Sequence, residues 1–277
     1  MTPPTPQELV IRPGRRFSPE ELREVWAYRG LLWALAWRDV SVRYKHTALG
    51  ILWALLQPAV QAVLFTALFH RVAGLDSGIG VPFVPFVLSG LVLWNVFSVG
   101  VNAASDSLVR DASLLAKVYF PRVILPLSSL LAPLLDGCVA AALLLAALVH
   151  YERLTGPGAL LMFPLAALSM LAAAGPGLAL SALTVRFRDL RHVLPFLQQL
   201  LLYGAPVFYP RSAVPERARV YLDLNPMIPI IDAFRAALFG SPFEGRRLAL
   251  ATAEILLLLA LGYGYFRRVE RTLADEL

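Results

Sequence analysis

Long apolar runs recur along this chain, separated by short segments that hold most of its charge. They lie at about residues 49–69, 81–105, 123–149, 159–185, 192–209 and 248–266; the third contains Asp136 and the sixth Glu254. A hydrocarbon layer of roughly 30 Å takes about 20 residues of helix at about 1.5 Å per residue. The pattern predicts an all-α polytopic membrane protein with six transmembrane helices. A soluble chain of this length would alternate apolar and polar positions at helix or strand period instead. Prolines at 58, 126, 133, 164, 176, 195 and 206 fall within or beside these runs. They would break soluble helices, but in a bundle neighbouring helices and waters satisfy the freed backbone groups.

Two segments carry a helical pattern without spanning length. Ser18-Pro19-Glu20-Glu21 supplies an N-cap, a first-turn proline and a Glu, a helix start. On the helix that follows, Trp26, Trp33, Trp37 and Tyr44 share one stripe and Arg23, Arg29, Arg38 and Arg43 accompany them. Rings bridge apolar and wet surroundings while Arg snorkels, so this is predicted to be an amphipathic helix in the headgroup region. Near the other end, Asn225-Pro226 opens a turn and residues 230–239 a helix too short to cross. Ile231, Phe234, Leu238 and Phe239 form its apolar side, with Asp232 and Arg235 elsewhere. A re-entrant or interfacial hairpin and an outer loop with one surface helix both fit. The chain thus divides into a tail and interface helix (1–49), a six-helix membrane domain (50–266) and a C-terminal tail (267–277).

Composition agrees: 58% of the 277 residues are hydrophobic, 16% are charged and the mean hydropathy is +0.64. The net charge of +6 could suggest nucleic acid, but the basic residues, 23 of them Arg, cluster beside the apolar runs and fit membrane orientation instead. With the amino terminus inside, inner segments hold 17 Lys and Arg and outer ones 8, which predicts both termini in the cytoplasm. No cleavable signal peptide is expected at the Pro- and Arg-rich start. The single cysteine, Cys138, offers neither a disulfide framework nor a cysteine metal site.

Chemistry is sparse. Lys45 and Lys117 are the only lysines, and neither ends the glycine-rich loop that holds nucleotide phosphates. The four histidines form no His-Glu-x-x-His pattern, and no Gly-x-Ser-x-Gly elbow is present. No catalytic residue, metal or cofactor is expected in this chain. Asp136, mid-span, reads either as an ion-coupling group or as a hydrogen-bonded carboxyl holding helices together. A single acid makes a poor relay, which favours the second.

The residues Trp37-Arg38-Asp39-Val40, Val42-Arg43-Tyr44-Lys45, Leu49-Gly50, Trp53 and Gln57-Pro58, together with residues 114–122 before the third run, resemble ABC-2 type permeases of polysaccharide exporters. The resemblance covers the chain from about residue 20, and its amino-terminal region is most similar to the O-antigen branch. It implies a homodimer paired with two copies of a separate ATPase, which would hold ATP and Mg. It also implies a lipid-linked polysaccharide substrate (O-antigen, capsule or teichoic acid) and a place in the bacterial inner membrane. A drug or lipid permease and a membrane enzyme acting on lipid-linked sugars are the alternatives. Residues 107–116, with Ser107, Arg110, Asp111, Leu114 and Leu115, are the expected ATPase-coupling segment. Sugars slide on aromatic faces, so Phe65, Phe69, Trp94, Phe97, Tyr203, Phe208 and Tyr209 are the expected path; an interfacial aromatic belt is the competing reading.

Overall fold

The computed structural model describes residues 19–45, 50, 52–152, 156–222 and 224–270. The Ser18 cap, the tail 1–17, Leu49, Asp223 and residues 271–277 lie outside them. Among the described residues every regular element is helical. Pro19 opens α1 (Pro19–Ala27), where its fixed φ and missing N–H suit the first turn. After Tyr28, α2 (Arg29–Lys45) continues it. The backbone ladder runs through the junction: Tyr28 N–H donates to the Glu24 carbonyl at 3.1 Å and Leu32 N–H to the Tyr28 carbonyl at 3.0 Å. Leu35, Ala36 and Val40 turn into the bundle, whereas Trp26, Trp33 and Trp37 are 70%, 60% and 58% exposed. The tryptophan stripe therefore faces away from the protein. Tyr44, expected on that stripe, turns inward and donates its hydroxyl to Asp136.

Among the described residues five helices are long and apolar enough to cross a bilayer. The first is α3 (Leu52–Phe65) with a π-helical continuation, Thr66–Val72; the second is α4 (Phe83–Arg110), followed by the single turn α5 (Ala112–Leu115). The third joins α6 (Ile124–Ser128) to α7 (Leu131–His150). The break between them has a local cause, because Pro133 has no N–H for the Ser129 carbonyl. The Ser128 and Ser129 hydroxyls donate to the Leu125 and Pro126 carbonyls at 3.0 and 2.8 Å, using acceptors beside the interruption. The fourth is α8 (Met162–Arg186) and the last α12 (Gly245–Glu270).

The fifth predicted run differs. It forms α9 (Leu190–Gly204), 15 residues, about 22 Å of helix, shorter than the five spans above. Pro206 stops it: the residue before a proline is driven out of the helical region, and Ala205 sits at φ −91°, ψ 144°. Ala205, Pro206, Val207 and Phe208 continue as buried non-helical backbone. Two short helices, α10 (Glu216–Leu222) and α11 (Met227–Phe239), then precede α12. α11 is no surface helix. Ten of its residues are buried against α4, α8 and α12, so this segment re-enters the bundle. Asn225 Oδ1 accepts from the Met227 amide at 3.1 Å at its start, and Gly240, at φ 71°, ends it in the left-handed conformation glycine adopts freely.

α4 is the axis of the bundle. Over its most apolar stretch 78% of residues are buried, against 17% in the first and last spans. Small residues set the spacing of its neighbours. Gly100 and Gly177 lie where an added Cβ would come within 3.1 Å of Ala173 and 2.7 Å of Ala104 across the α4–α8 contact. Gly175 and Gly262 bring α8 and α12 together so closely that a Cβ on Gly262 would overlap the Gly175 carbonyl. This small-residue packing is the way helices associate where lipid removes the hydrophobic drive.

Candidate functional site

At the end of the bundle that holds α1, α2 and the start of α6, two Arg-Asp dipeptides from distant parts of the chain interlock. Arg38 Nη1 lies 2.8 Å from Asp111 Oδ1, and Arg38 Nη2 donates to Asp111 Oδ2 at 2.9 Å and Asp39 Oδ1 at 2.8 Å. Arg110 Nη2 reaches Asp39 Oδ2 at 2.6 Å. Bidentate geometry of this kind is among the stronger charge-assisted contacts. The nearby Asp111 carboxylate holds the Arg38 guanidinium above its ordinary pKa. The network fastens α2 to the end of α4. Two further pairs extend it: Arg43 Nη1 to Asp136 Oδ2 at 2.5 Å, tying α2 to α7, and Arg191 Nε to Asp106 Oδ1 at 2.6 Å, tying α9 to α4. Asp136 is thus held by an Arg and a Tyr from the interface helix, the arrangement expected of a carboxyl that joins helices.

This changes the expected coupling segment. Ser107 is fully buried and donates to the Ala104 carbonyl at 2.7 Å inside α4. Arg110 and Asp111, expected to meet a partner, are engaged within the chain, and Asp111 is buried because it sits beneath Arg38 and Arg110. Leu114 and Leu115 pack half-buried against the cluster that includes Leu35, Val185 and Phe266. The exposed apolar tips are Val118 and Tyr119, 52% and 59% exposed, and Phe187 at 53% with Arg186 stacked on its ring.

The expected aromatic path resolves into two groups. Phe65, Phe69, Tyr203, Phe208 and Tyr209 converge from the first span and the end of α9. Phe65 stacks on Phe208 with centroids 3.6 Å apart, and the other contacts lie between 6.1 and 6.3 Å. Trp94 and Phe97 pair separately on α4 at 5.6 Å. Trp94, Phe65 and Phe208 are buried in the core. Their rings fill space between helices because α4 is central and the 205–208 segment folds against it. Tyr203 is exposed, and Phe69, Phe97 and Tyr209 are half-buried.

The sequence reading did not find Arg235. It is buried on α11 with no carboxylate among the described residues within bonding reach: Nη1 donates to the Pro206 carbonyl at 2.8 Å, Nη2 to those of Val207 at 2.7 Å and Phe86 at 3.2 Å, and Nε to Ser89 Oγ at 3.3 Å. The guanidinium carbon lies 3.7 Å from the centre of the Phe86 ring. Gly90 leaves the room, since a Cβ there would come within 3.0 Å of Arg235 Nη2. The backbone freed where Pro206 ends α9 thus finds its donors in one side chain, as irregular backbone inside a membrane bundle must.

Residues 30–239 match the ABC-2 type transporter family. The chain is 32% identical over 244 residues to the O-antigen export system permease protein RfbA of Myxococcus xanthus, covering 86% of this chain and 92% of that one. It is 23% identical to the protein of the same name from Klebsiella pneumoniae (89% and 95% covered). It is 25% identical to the polysialic acid transport protein KpsM of Escherichia coli (87% and 93%).

Proposed function

The chain belongs to the ABC-2 type transporter family, and from that premise we propose that it is the permease subunit of an exporter that moves lipid-linked O-antigen across the bacterial inner membrane. The observation that carries this reading is the near full-length similarity to the Myxococcus O-antigen permease, which covers 86% of this chain and 92% of that one. The energy comes from a separate ATPase that binds ATP and Mg. Two copies of this chain, paired as a homodimer, meet two copies of that ATPase. Both termini face the cytoplasm, in keeping with the 17-to-8 distribution of Lys and Arg. Val118, Tyr119 and Phe187, exposed apolar tips, then lie on the cytoplasmic side as contacts for the ATPase.

Deletion of the gene, followed by electrophoresis of the lipopolysaccharide, tests the reading. Loss of the long-chain ladder, restored by the intact gene on a plasmid, is expected. An unchanged ladder, or loss of a capsule instead, overturns the O-antigen assignment.

A further inference from the structure

The last span carries an acid, Glu254, and among the described residues it has no hydrogen bond or ion pair. Arg247, about 10 Å outward along α12, is engaged by Asp232 at 3.4 Å and Glu244 at 3.1 Å, and Arg267, about 20 Å inward, is engaged by Glu270. The acid of the third span, Asp136, is held inside the chain by Arg43 and Tyr44. Glu254 is not. A carboxyl at this depth of a membrane is costly, and such a residue marks a place where a partner is expected.

The surface around it has a pattern of its own. Leu250, Glu254, Leu257 and Leu261 follow one another at spacings of four, three and four, which sets them in one row along α12. The leucines are 61%, 58% and 61% exposed, and Glu254 is half-buried beside them. The contact of α12 with α8 runs along another side, through Gly262, with Ile255 and Phe266 buried. Apolar residues at alternating spacings of three and four form the seam by which helices pair at a shallow left-handed crossing, and a polar residue within the seam fixes the register.

Charge separates the occupants such a seam could have. Lipid chains would leave the carboxyl without a donor. A second copy related by a twofold axis presents the same patch, so it would bring acid toward acid. A helix with a basic side chain at the same depth supplies what is missing, since two charges that are each costly alone in hydrocarbon satisfy one another as a pair. We propose that this face of α12 docks the transmembrane helix of a different protein, one that presents an Arg or Lys to Glu254.

The test uses the full chain, in a Cys138→Ala background with an acceptor dye on a cysteine at Ser212, reconstituted in phosphatidylcholine vesicles. The probe is a synthetic Leu- and Ala-rich helix of about 24 residues, long enough to span, with one central Arg and a donor dye. Saturable energy transfer is expected, and the same peptide with Leu in place of Arg should bind about tenfold more weakly for want of the charge-assisted bond. Glu254→Leu should erase the difference between the two peptides. Glu254→Gln, which keeps size and an acceptor, should leave a reduced difference, and both variants should remain monodisperse by gel filtration. Without the dye cysteine, Leu257→Cys should form a disulfide with a peptide cysteine placed three residues from the Arg, whereas Leu256→Cys, also exposed but on the other flank, should not. Equal binding of the two peptides to the parent chain, a preference that survives Glu254→Leu, or equal cross-linking at 256 and 257 overturns the assignment. In cells, a photo-reactive residue at position 257 should give an adduct with a different membrane protein that is lost with Glu254→Leu. An adduct with a second copy of the chain, or with lipid alone, overturns it.

Discussion

Arg235 shows how much one side chain can carry in this protein. Its fork supplies donors to the carbonyls of Phe86, Pro206 and Val207, and a buried carbonyl left without a donor is costly. Arg235→Met, which keeps length and removes the donors, should cost on the order of 3 kcal/mol or more, at about 1–3 kcal/mol per buried group left unpaired. Arg235→Lys should recover only part, because an ammonium cannot reach three carbonyls in a plane. Thermal unfolding in detergent checks this, and an unchanged midpoint for Arg235→Met would refute it. Nothing in the sequence around residue 235 announces the role. The partners lie 28 to 149 residues away, and an Arg on a short helix beside Asp232 reads as an ordinary surface cation. Asp136 was more legible, since a lone acid in an apolar run demands a partner, and Arg43 and Tyr44 already stood in a motif of their own.

Elements were legible where length and period decide, and less so where a tertiary contact does. The stripe of Trp26, Trp33 and Trp37 follows from helical spacing alone and stays on one exposed face. In the expected coupling segment the sequence does not show that residues 107–110 extend α4 or that the Arg-Asp dipeptides at 38–39 and 110–111 pair across more than 70 residues. That the same dipeptide occurs twice was the available signal. Its consequence is that Val118→Asp with Tyr119→Asp should leave insertion and melting unaltered and reduce co-purification of the ATPase at least about tenfold, as removal of central apolar anchors does. Leu114→Asp should instead destabilise the chain itself, and equal ATPase recovery with the 118–119 variant would exclude that tip as the contact. At the α8–α12 crossing, Gly262→Ala places a methyl against the Gly175 carbonyl. It should cost about 1–3 kcal/mol through overpacking, visible as a lowered melting temperature.

At the scale of the whole molecule, the orientation predicted from charge is tested by single cysteines at Ser41, Ser113 and Ser212 in a Cys138→Ala background, needed because Cys138 is itself exposed. A membrane-impermeant maleimide applied to spheroplasts should label position 212 and spare 41 and 113; the reverse pattern inverts the topology. The number of apolar runs was readable because a bilayer fixes a minimum length, whereas the early end of α9 was masked by apolar residues that continue past Gly204 as non-helical chain. That shortness has a further effect on the surroundings. Lipid packed along a helix of about 22 Å, where the hydrocarbon is about 30 Å thick, meets a hydrophobic mismatch, and the bilayer relieves it by thinning locally.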